Sequence, residues 1–375
     1  MPSMIALDGW VLGSGLGGDE VSFRGLLRGL AATPAPGDDF WLHAPAGAPV
    51  PAEVVEWGAM TVDRFRRRSG ARHFAVGFPA RLRRLARAPR LVVSVTHAPI
   101  WSPGPVALAV ADISFRRCPE HFPPATRARL NTLVPRQATQ ARAVLTVSEF
   151  SRRDILEDFG LHEDRVFVVP CAIEDPVPLG AEAAAAAERS LAAAGVRGPY
   201  VLYLGNLHPR KNVARLVRAF ARARTDPAMA DHQLVIAGGR WWGAGQEEAA
   251  CAAAPEGSVV LLGRIDDAQR EHLLLHAHSL AYVSLFEGFG LPPLEAMARG
   301  TPVLASTAAA IPETTGDAAV LVDPLDEDAI AGGLVRLAGD DELRADLRRR
   351  GRDRAAHFTL ARTGEAARAA FSAVA

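Results

Sequence analysis

Short apolar runs alternate with amphipathic or alanine-rich stretches along nearly the whole chain, and few folds accept that alternation. The runs are four or five residues long, at 4–7, 40–43, 91–95, 106–110, 143–147 and 166–169, then at 200–204, 233–237, 259–262, 280–284, 303–306 and 319–322. Strands of this length separated by helical patterns are repeated βαβ units, which build parallel sheets. Two sets of six imply two Rossmann-like halves, and 375 residues suit two domains of about 150 to 200 residues each. The break is written in "EDPVPLGAEAAAAAERSLAAAGVRGPY", where Pro176 and Pro178 precede an alanine-rich helix and Gly198-Pro199 precedes the next strand. A linker is expected at about residues 172–182. The expected domains are 1–175 and 176–356, with a last helix over 357–375 packing back on the N-terminal domain.

With 42 basic and 42 acidic residues the formal net charge is zero, so bulk electrostatics hold no attraction for nucleic acid. Cys118, Cys171 and Cys251 are far apart and lack ligand spacing, which argues against a disulfide framework or a zinc site and for a reducing cytoplasm. The opening "MPSMIALDGWVLGSG" lacks the basic and long apolar regions of a secretion signal, and no uncharged apolar run reaches the roughly 18 residues of a membrane span. A cytoplasmic protein is expected, with contact to the inner face of a membrane left open by one basic segment. That segment, Asp63 to Arg90, holds ten arginines and one aspartate. Arg66 to Arg68 and Arg81 to Arg90 could hold an anionic membrane or acceptor, or form a solvated face.

Only one of the 42 basic residues is a lysine, Lys211, in "LGNLHPRKNVARLV". An arginine-rich composition spares a lysine where a compact point charge does what a planar guanidinium does not, as at a phosphate. A second segment supplies the rest of a phosphate site: "AYVSLFEGFGLPPLEAMARGTPVLAS". Its strand ends at a Gly288-Phe289-Gly290 turn, Pro292 and Pro293 suit a helix's first turn, and Gly300 closes that helix. The amides of Gly290 and Leu291 then lie at the positive end of a helix, a seat for an anion. Glu287 and Glu295 flank the turn as acceptor-only side chains. A nucleotide sugar matches this set, with its diphosphate at the helix end and its sugar and ribose hydroxyls on the carboxylates. Taken alone, Glu295 also reads as a helix-terminus glutamate.

These motifs resemble the retaining glycosyltransferases of family four, group 1, in "EGFGLPPLE", "GNLHPRKN", "VLTVSEFSRRDILEDFG", "RVFVVPCAIE" and "DISFRRCPEHFP". The resemblance implies the α/β GT-B fold, two Rossmann-like domains whose parallel sheets face a central cleft. It implies that Arg210 and Lys211 neutralise the donor diphosphate, Glu287 contacts the transferred sugar and Glu295 holds the ribose. Phe289, Gly290 and Leu291 would reach the sugar and phosphates through their amides, Gly205 and Asn206 would belong to the phosphate loop, and Gly263 and Arg264 would border the base. It further implies transfer with retention to a glycan, lipid or small-molecule hydroxyl, with no metal and no other cofactor. Guanosine- or thymidine-linked hexoses are expected donors, with uridine-linked sugars open.

The first half contains a second glycine turn, "GSGLGGDEVSF", in which Gly13, Gly15 and Gly18 also match a dinucleotide fingerprint, with Asp38 and Asp39 about 20 residues on. Asp19 and Glu20 oppose a pyrophosphate there. The resemblance instead places Gly15 and Gly17 near acceptor and sugar. It also marks a departure: many relatives carry histidine before Asp112, where this chain has Ala111. His97 is a candidate substitute, or a residue of loop packing. Asp112 is the one carboxylate considered near the reacting carbon. Asp266-Asp267 and Asp326-Glu327-Asp328 read as helix caps. Three alternatives are weighed: a catalytically weak nucleotide-sugar binder of the same fold, a nicotinamide-dependent dehydrogenase, and a GT-B phosphorylase using pyridoxal phosphate, which would need for its Schiff base the one lysine that already has a phosphate-loop context.

Overall fold

The computed structural model describes residues 4–15, 17–67, 69–241 and 243–374, so Arg68 of the basic segment lies outside the described residues. The chain forms two compact units, one from Met1–Arg117, Pro124–Ala172 and Phe358–Ala375, the other from Cys118–Pro123 and Ile173–His357. The first is built on β1 (Ile5–Asp8), β2 (Phe40–Pro45), β3 (Met60–Phe65), β4 (Leu91–Val95), β5 (Val106–Ala109), β6 (Ala143–Thr146) and β7 (Val166–Val168). They form one parallel sheet in the order β3-β2-β1-β4-β5-β6-β7. The second unit holds β8 (Tyr200–Leu204), β9 (Gln233–Ala237), β10 (Val259–Gly263), β11 (Ser279–Tyr282), β12 (Val303–Ser306) and β13 (Val320–Val322). These are also parallel, in the order β10-β9-β8-β11-β12-β13.

The apolar runs mark twelve of these strands and miss β3. At the sheet edge only Met60 of "MTVDRF" is fully buried, so its Asp63 and Arg64 make it read as a charged loop. Inner strands are covered on both faces, which is why they appear as unbroken apolar runs without alternation. Ile5, Leu7, Leu91 and Val93 pack with Phe23, Leu27, Leu30 and Phe371, while Ala6 and Val92 pack on the other side with Trp41, Phe78 and Leu82.

The last helix, Leu360–Val374, lies along Gly18–Ala32, and glycine on both sides permits the approach. A Cβ on Gly364 would sit 2.1 Å from the Gly29 carbonyl oxygen. Arg368 then pairs with Asp38 at 2.6 Å, and Thr363 donates to the Pro170 carbonyl at 2.8 Å.

In each sheet the strand order reverses once, between β1 and β4 and between β8 and β11. Crevices at the carboxyl ends of such strands are where open parallel sheets bind ligands. Among the described residues, Thr96, Asn212 and Ala309 are the non-glycine residues with positive φ, all in segments leaving carboxyl ends of strands. Backbone strain of this kind is held only where the surroundings over-determine it.

Gly364→Val is expected to lower the unfolding free energy by about 3 kcal/mol, at the upper end of overpacking costs. Gly332→Ala, on an exposed helix face with nothing within 4 Å of the new Cβ, serves as the control. It should stabilise by about 0.5 to 1 kcal/mol, because alanine replaces a mid-helix glycine. Urea unfolding of both variants measures the difference.

Candidate active site

The segment leaving β8 is shaped before any functional side chain enters. Gly205 donates to the Ala237 carbonyl at 2.9 Å, and Leu207 to the Gly239 carbonyl at 2.9 Å, which ties it to the end of β9. Gly238 allows this approach: a Cβ there would lie 1.8 Å from the Gly205 carbonyl oxygen. A single 3-10 turn, Pro209–Lys211, follows, and His208 caps it by accepting from the Arg210 amide at Nδ1, 3.1 Å away. Asn212 then takes a left-handed conformation, φ 61°. Its side-chain amide donates to the carbonyls of Val283 at 3.0 Å and Pro324 at 2.7 Å, anchoring the turn to the segments after β11 and β13. Helix Val213–Ala223 departs with Val213, Leu216, Val217 and Phe220 buried.

Arg210 and Lys211 are thereby delivered to Glu287, at the reversal between β8 and β11. Glu287 receives Arg210 at 3.1 Å on one oxygen and Lys211 at 2.6 Å on the other. Arg210 also donates to the Phe286 carbonyl, and its own carbonyl accepts from Leu285 at 2.9 Å. Tyr282, 1% exposed, completes the cluster, accepting from Lys211 Nζ at 2.7 Å and donating to Glu287 Oε1 at 3.0 Å. Burial alone would raise the Glu287 pKa. The charges of Arg210 and Lys211, with the hydrogen bond from Lys211, outweigh it and pull the value down to about 2. Burial, followed by the same two cations and His121, lowers His208 to about 3, so its ring is neutral at ordinary pH. Burial lifts Tyr282 well above the usual phenol range, keeping its proton in place.

The turn after β11 is equally constrained. Gly290, φ 105°, caps helix Leu291–Ala298, and a Cβ there would come within 2.7 Å of Ile311 Cδ1. Phe289 accepts from Thr314 Oγ1 at 2.5 Å, and Glu287 accepts at its main-chain oxygen from Ala310 at 3.2 Å. Glu295 stands just past the first turn of this helix, as its fifth residue, with its carboxylate on Arg270. The two glutamates of "EGFGLPPLE" therefore answer to different cations. Gly263, at the end of β10, accepts from Gly238 at 2.8 Å. Arg264 and Asn206 both lie against Gly239, their nearest atoms 3.1 and 3.4 Å from where a Cβ would stand. The structure thus brings Gly205, Asn206, Gly263, Arg264, Arg210, Lys211, Glu287, Phe289, Gly290, Leu291 and Glu295 to the carboxyl ends of one sheet. Asp266 and Asp326 are helix caps, the first in a reciprocal capping box with Gln269.

In the first unit, Gly15 (φ 69°) and Gly17 (φ 56°) form the turn between β1 and helix Gly18–Ala32. Two amides of this segment are already taken: Gly13 and Gly15 donate to the Glu20 carboxylate at 2.7 and 2.9 Å. A pyrophosphate would have to displace this internal anion, and Asp38 is held by Arg368. Neither feature suits a nicotinamide nucleotide. Asp19 accepts from Thr96 Oγ1 at 3.1 Å; burial, opposed by that bond and aided by Asp112, raises it to about 6. Asp112 itself caps the turn at Ser114, 2.8 Å away. His97 packs edge-on against Phe74 at 5.6 Å, in a loop pinned by Gln137 to Ala98.

Two family models match the chain, Glycosyltransferase Family 4 over residues 16–175 and Glycosyl transferases group 1 over residues 189–354. The chain belongs to the group 1, family 4 glycosyltransferases. Among its relatives, O-antigen chain mannosyltransferase B of Escherichia coli is 33% identical over 66% of this chain and 65% of its own length. MMP alpha-(1->4)-mannosyltransferase of Mycolicibacterium hassiacum is 33% identical over 54% of this chain and 46% of its own. The matched stretches thus span about two-thirds and about half of these relatives. Among solved structures, Anabaena HepE in complex with UDP and glucose superposes with a TM-score of 0.73 at 17% identity, covering 99% of both chains. Sucrose-phosphate synthase of Thermosynechococcus elongatus gives 0.72 at 20% identity, covering 99% of this chain and 100% of that one. The fold of this chain is GT-B.

Three members of the cluster are not evident from the motifs: Tyr282, His208 as the cap, and Arg270 beside Glu295. Tyr282 did leave a signal. The chain has three tyrosines, Tyr200, Tyr203 and Tyr282, all buried in the two strands that flank the reversal. A buried phenol needs a partner.

Two outcomes are expected. In a double-mutant cycle, Lys211→Met and Glu287→Gln should couple by about 1 to 3 kcal/mol in unfolding free energy. On acidification, the unfolded chain binds protons that folded His208 and Glu287 refuse, so stability must fall with pH. The His208 share is lost between its ordinary 6.5 and about 3, and the Glu287 share between 4.5 and about 2. His208→Gln should therefore flatten the loss of stability between pH 7.5 and pH 5.5, measured by urea titration at each pH.

Proposed function

We propose that this protein transfers a hexosyl group from a nucleoside-diphosphate sugar to an acceptor hydroxyl, retaining the anomeric configuration and requiring no metal. The observation that carries this reading is the Arg210, Lys211 and Glu287 cluster beside the amino terminus of helix Leu291–Ala298. An entering diphosphate supplies the anion that Glu287 supplies without it. Arg210 and Lys211 turn to the phosphates, joined by the Gly290 and Leu291 amides, and Glu287 exchanges cations for sugar hydroxyls. As the glycosidic bond breaks, charge grows on the leaving diphosphate where these two cations already stand. The leaving phosphate takes the acceptor proton on the same face of the sugar. Glu295, oriented by Arg270, takes the ribose hydroxyls, and Asn206, Gly263 and Arg264 border the base. In the first unit, Gly15, Gly17 and Asp112 serve the acceptor and the sugar. The mannosyltransferase relatives support a mannosyl donor, and the UDP bound to HepE supports a nucleoside diphosphate.

A thermal-shift panel of UDP, GDP, dTDP and ADP with chelator present is expected to give one strong shift, since ligand at 100 times its dissociation constant stabilises by about 2.7 kcal/mol. With the matching donor, Lys211→Ala and Glu287→Ala should each lower kcat by about 100-fold or more. Normal turnover in both variants would sink the site assignment. A nucleotide shift without turnover, across a panel of acceptors, would favour a binder, and an inverted product anomer by NMR would end the retaining mechanism.

A further inference from the structure

The basic segment of the first unit is not one uniform surface. Arg64 donates to the carbonyls of Pro45 and Ala48 at 3.1 and 2.9 Å, and Arg81 pairs with Asp63 at 3.0 Å. Arg67 lies over the Trp10 ring at 5.0 Å and donates to the carbonyls of Trp10 and Leu12. These three arginines are structural. The outward charge comes from elsewhere, on a helical stretch in three pieces: Gly70–Arg72, a wider π turn over His73–Gly77, and Phe78–Arg83.

Pro79 explains both the irregularity and its consequence. In the π turn the Phe78 amide reaches back to the His73 carbonyl. Pro79 has no N–H to return in the same way to Phe74. The Phe74 carbonyl instead accepts from the Ile100 amide, at 3.1 Å, and so docks the loop that follows β4. That loop adds Ile100, 73% exposed, and Trp101, 38% exposed, to a helical stretch where Val76 is 65% exposed. The Arg83 guanidinium covers the Trp101 ring at 4.5 Å. Arg72 and Arg84 are also exposed, while His73, Phe78, Pro79 and Leu82 fill the inner side.

Large apolar tips standing among guanidinium groups match an interfacial membrane surface. The aliphatic and indole groups enter the headgroup boundary, and arginines bind phosphodiesters in bidentate fashion. A second copy of the chain is a poor occupant, because facing copies would set arginine against arginine. Nucleic acid accounts for the charge but leaves Ile100 and Val76 without a role. We propose that Arg72, Val76, Arg83, Arg84, Ile100 and Trp101 seat this unit on the surface of a bilayer containing anionic phospholipid. The proposal rests on this surface alone, independently of the donor site.

Sedimentation with phosphatidylcholine vesicles, with and without phosphatidylglycerol, tests it. The parent should bind the anionic vesicles and bind them far better than the neutral ones. Paired substitutions Ile100→Ser with Trp101→Ser, and Arg83→Glu with Arg84→Glu, should each weaken binding by about tenfold or more. Unchanged melting temperatures in these variants separate lost binding from lost folding, and a blue shift of Trp emission, absent in Trp101→Phe, reads the insertion directly. A parent that ignores anionic vesicles, variants that bind as the parent does, or a parent that binds RNA and not vesicles would each overturn the proposal.

Discussion

A carboxylate with 7% of its residue surface exposed stays ionised only if positive charge is brought to it, and Glu287 depends on that condition. The two cations come from a turn 76 and 77 residues earlier in the chain, so the ion cluster exists only when β8 and β11 are neighbours. The glycine-to-glycine approach at Gly205 and Gly238, the left-handed Asn212 and the buried Tyr282 all serve this meeting. Each either aims Arg210 and Lys211 or closes the space behind them. Breaking up such a cluster leaves buried charge uncompensated, which commonly costs about 3 to 5 kcal/mol.

The two glycine turns of this chain show how like sequences acquire unlike electrostatics. At Gly290 the turn opens onto a helix amino terminus with two cations close by. At Gly15 the amides of Gly13 and Gly15 are neutralised from within by Glu20, in the first turn of the helix. A glycine pattern reports that the backbone can turn sharply; the carboxylates around it decide whether an anion is welcome. The same distinction separates Arg210, aimed at the cluster, from Arg64 and Arg67, whose guanidinium groups hold carbonyls of their own unit.

Much of this was legible because parallel sheets buried on both faces leave a strong trace, runs of apolar residues with helices between. The phosphate-loop and glutamate motifs were legible because each is contiguous. β3 was not, since an edge strand alternates charge as a loop does. Tyr282 was not assigned because an apolar strand hides which of its side chains reaches the site. The inward arginines and the Ile100–Trp101 loop were equally hidden. Charge counts carry no direction, and the loop's place depends on a carbonyl that Pro79 leaves without its helical partner.

By itself the sequence determined two βαβ halves, the Glu287 and Glu295 turn, the lone Lys211 and membership of a glycosyltransferase family. Periodicity, turn chemistry and contiguous motifs are local properties that survive in one dimension. Only the tertiary structure decided that Lys211 and Arg210 converge on Glu287, that Tyr282 bridges them, that Glu20 fills the first glycine turn, and which arginines face outward. Those outcomes depend on distance between residues far apart in sequence, and electrostatic energy is set by that distance and by the water that burial removes.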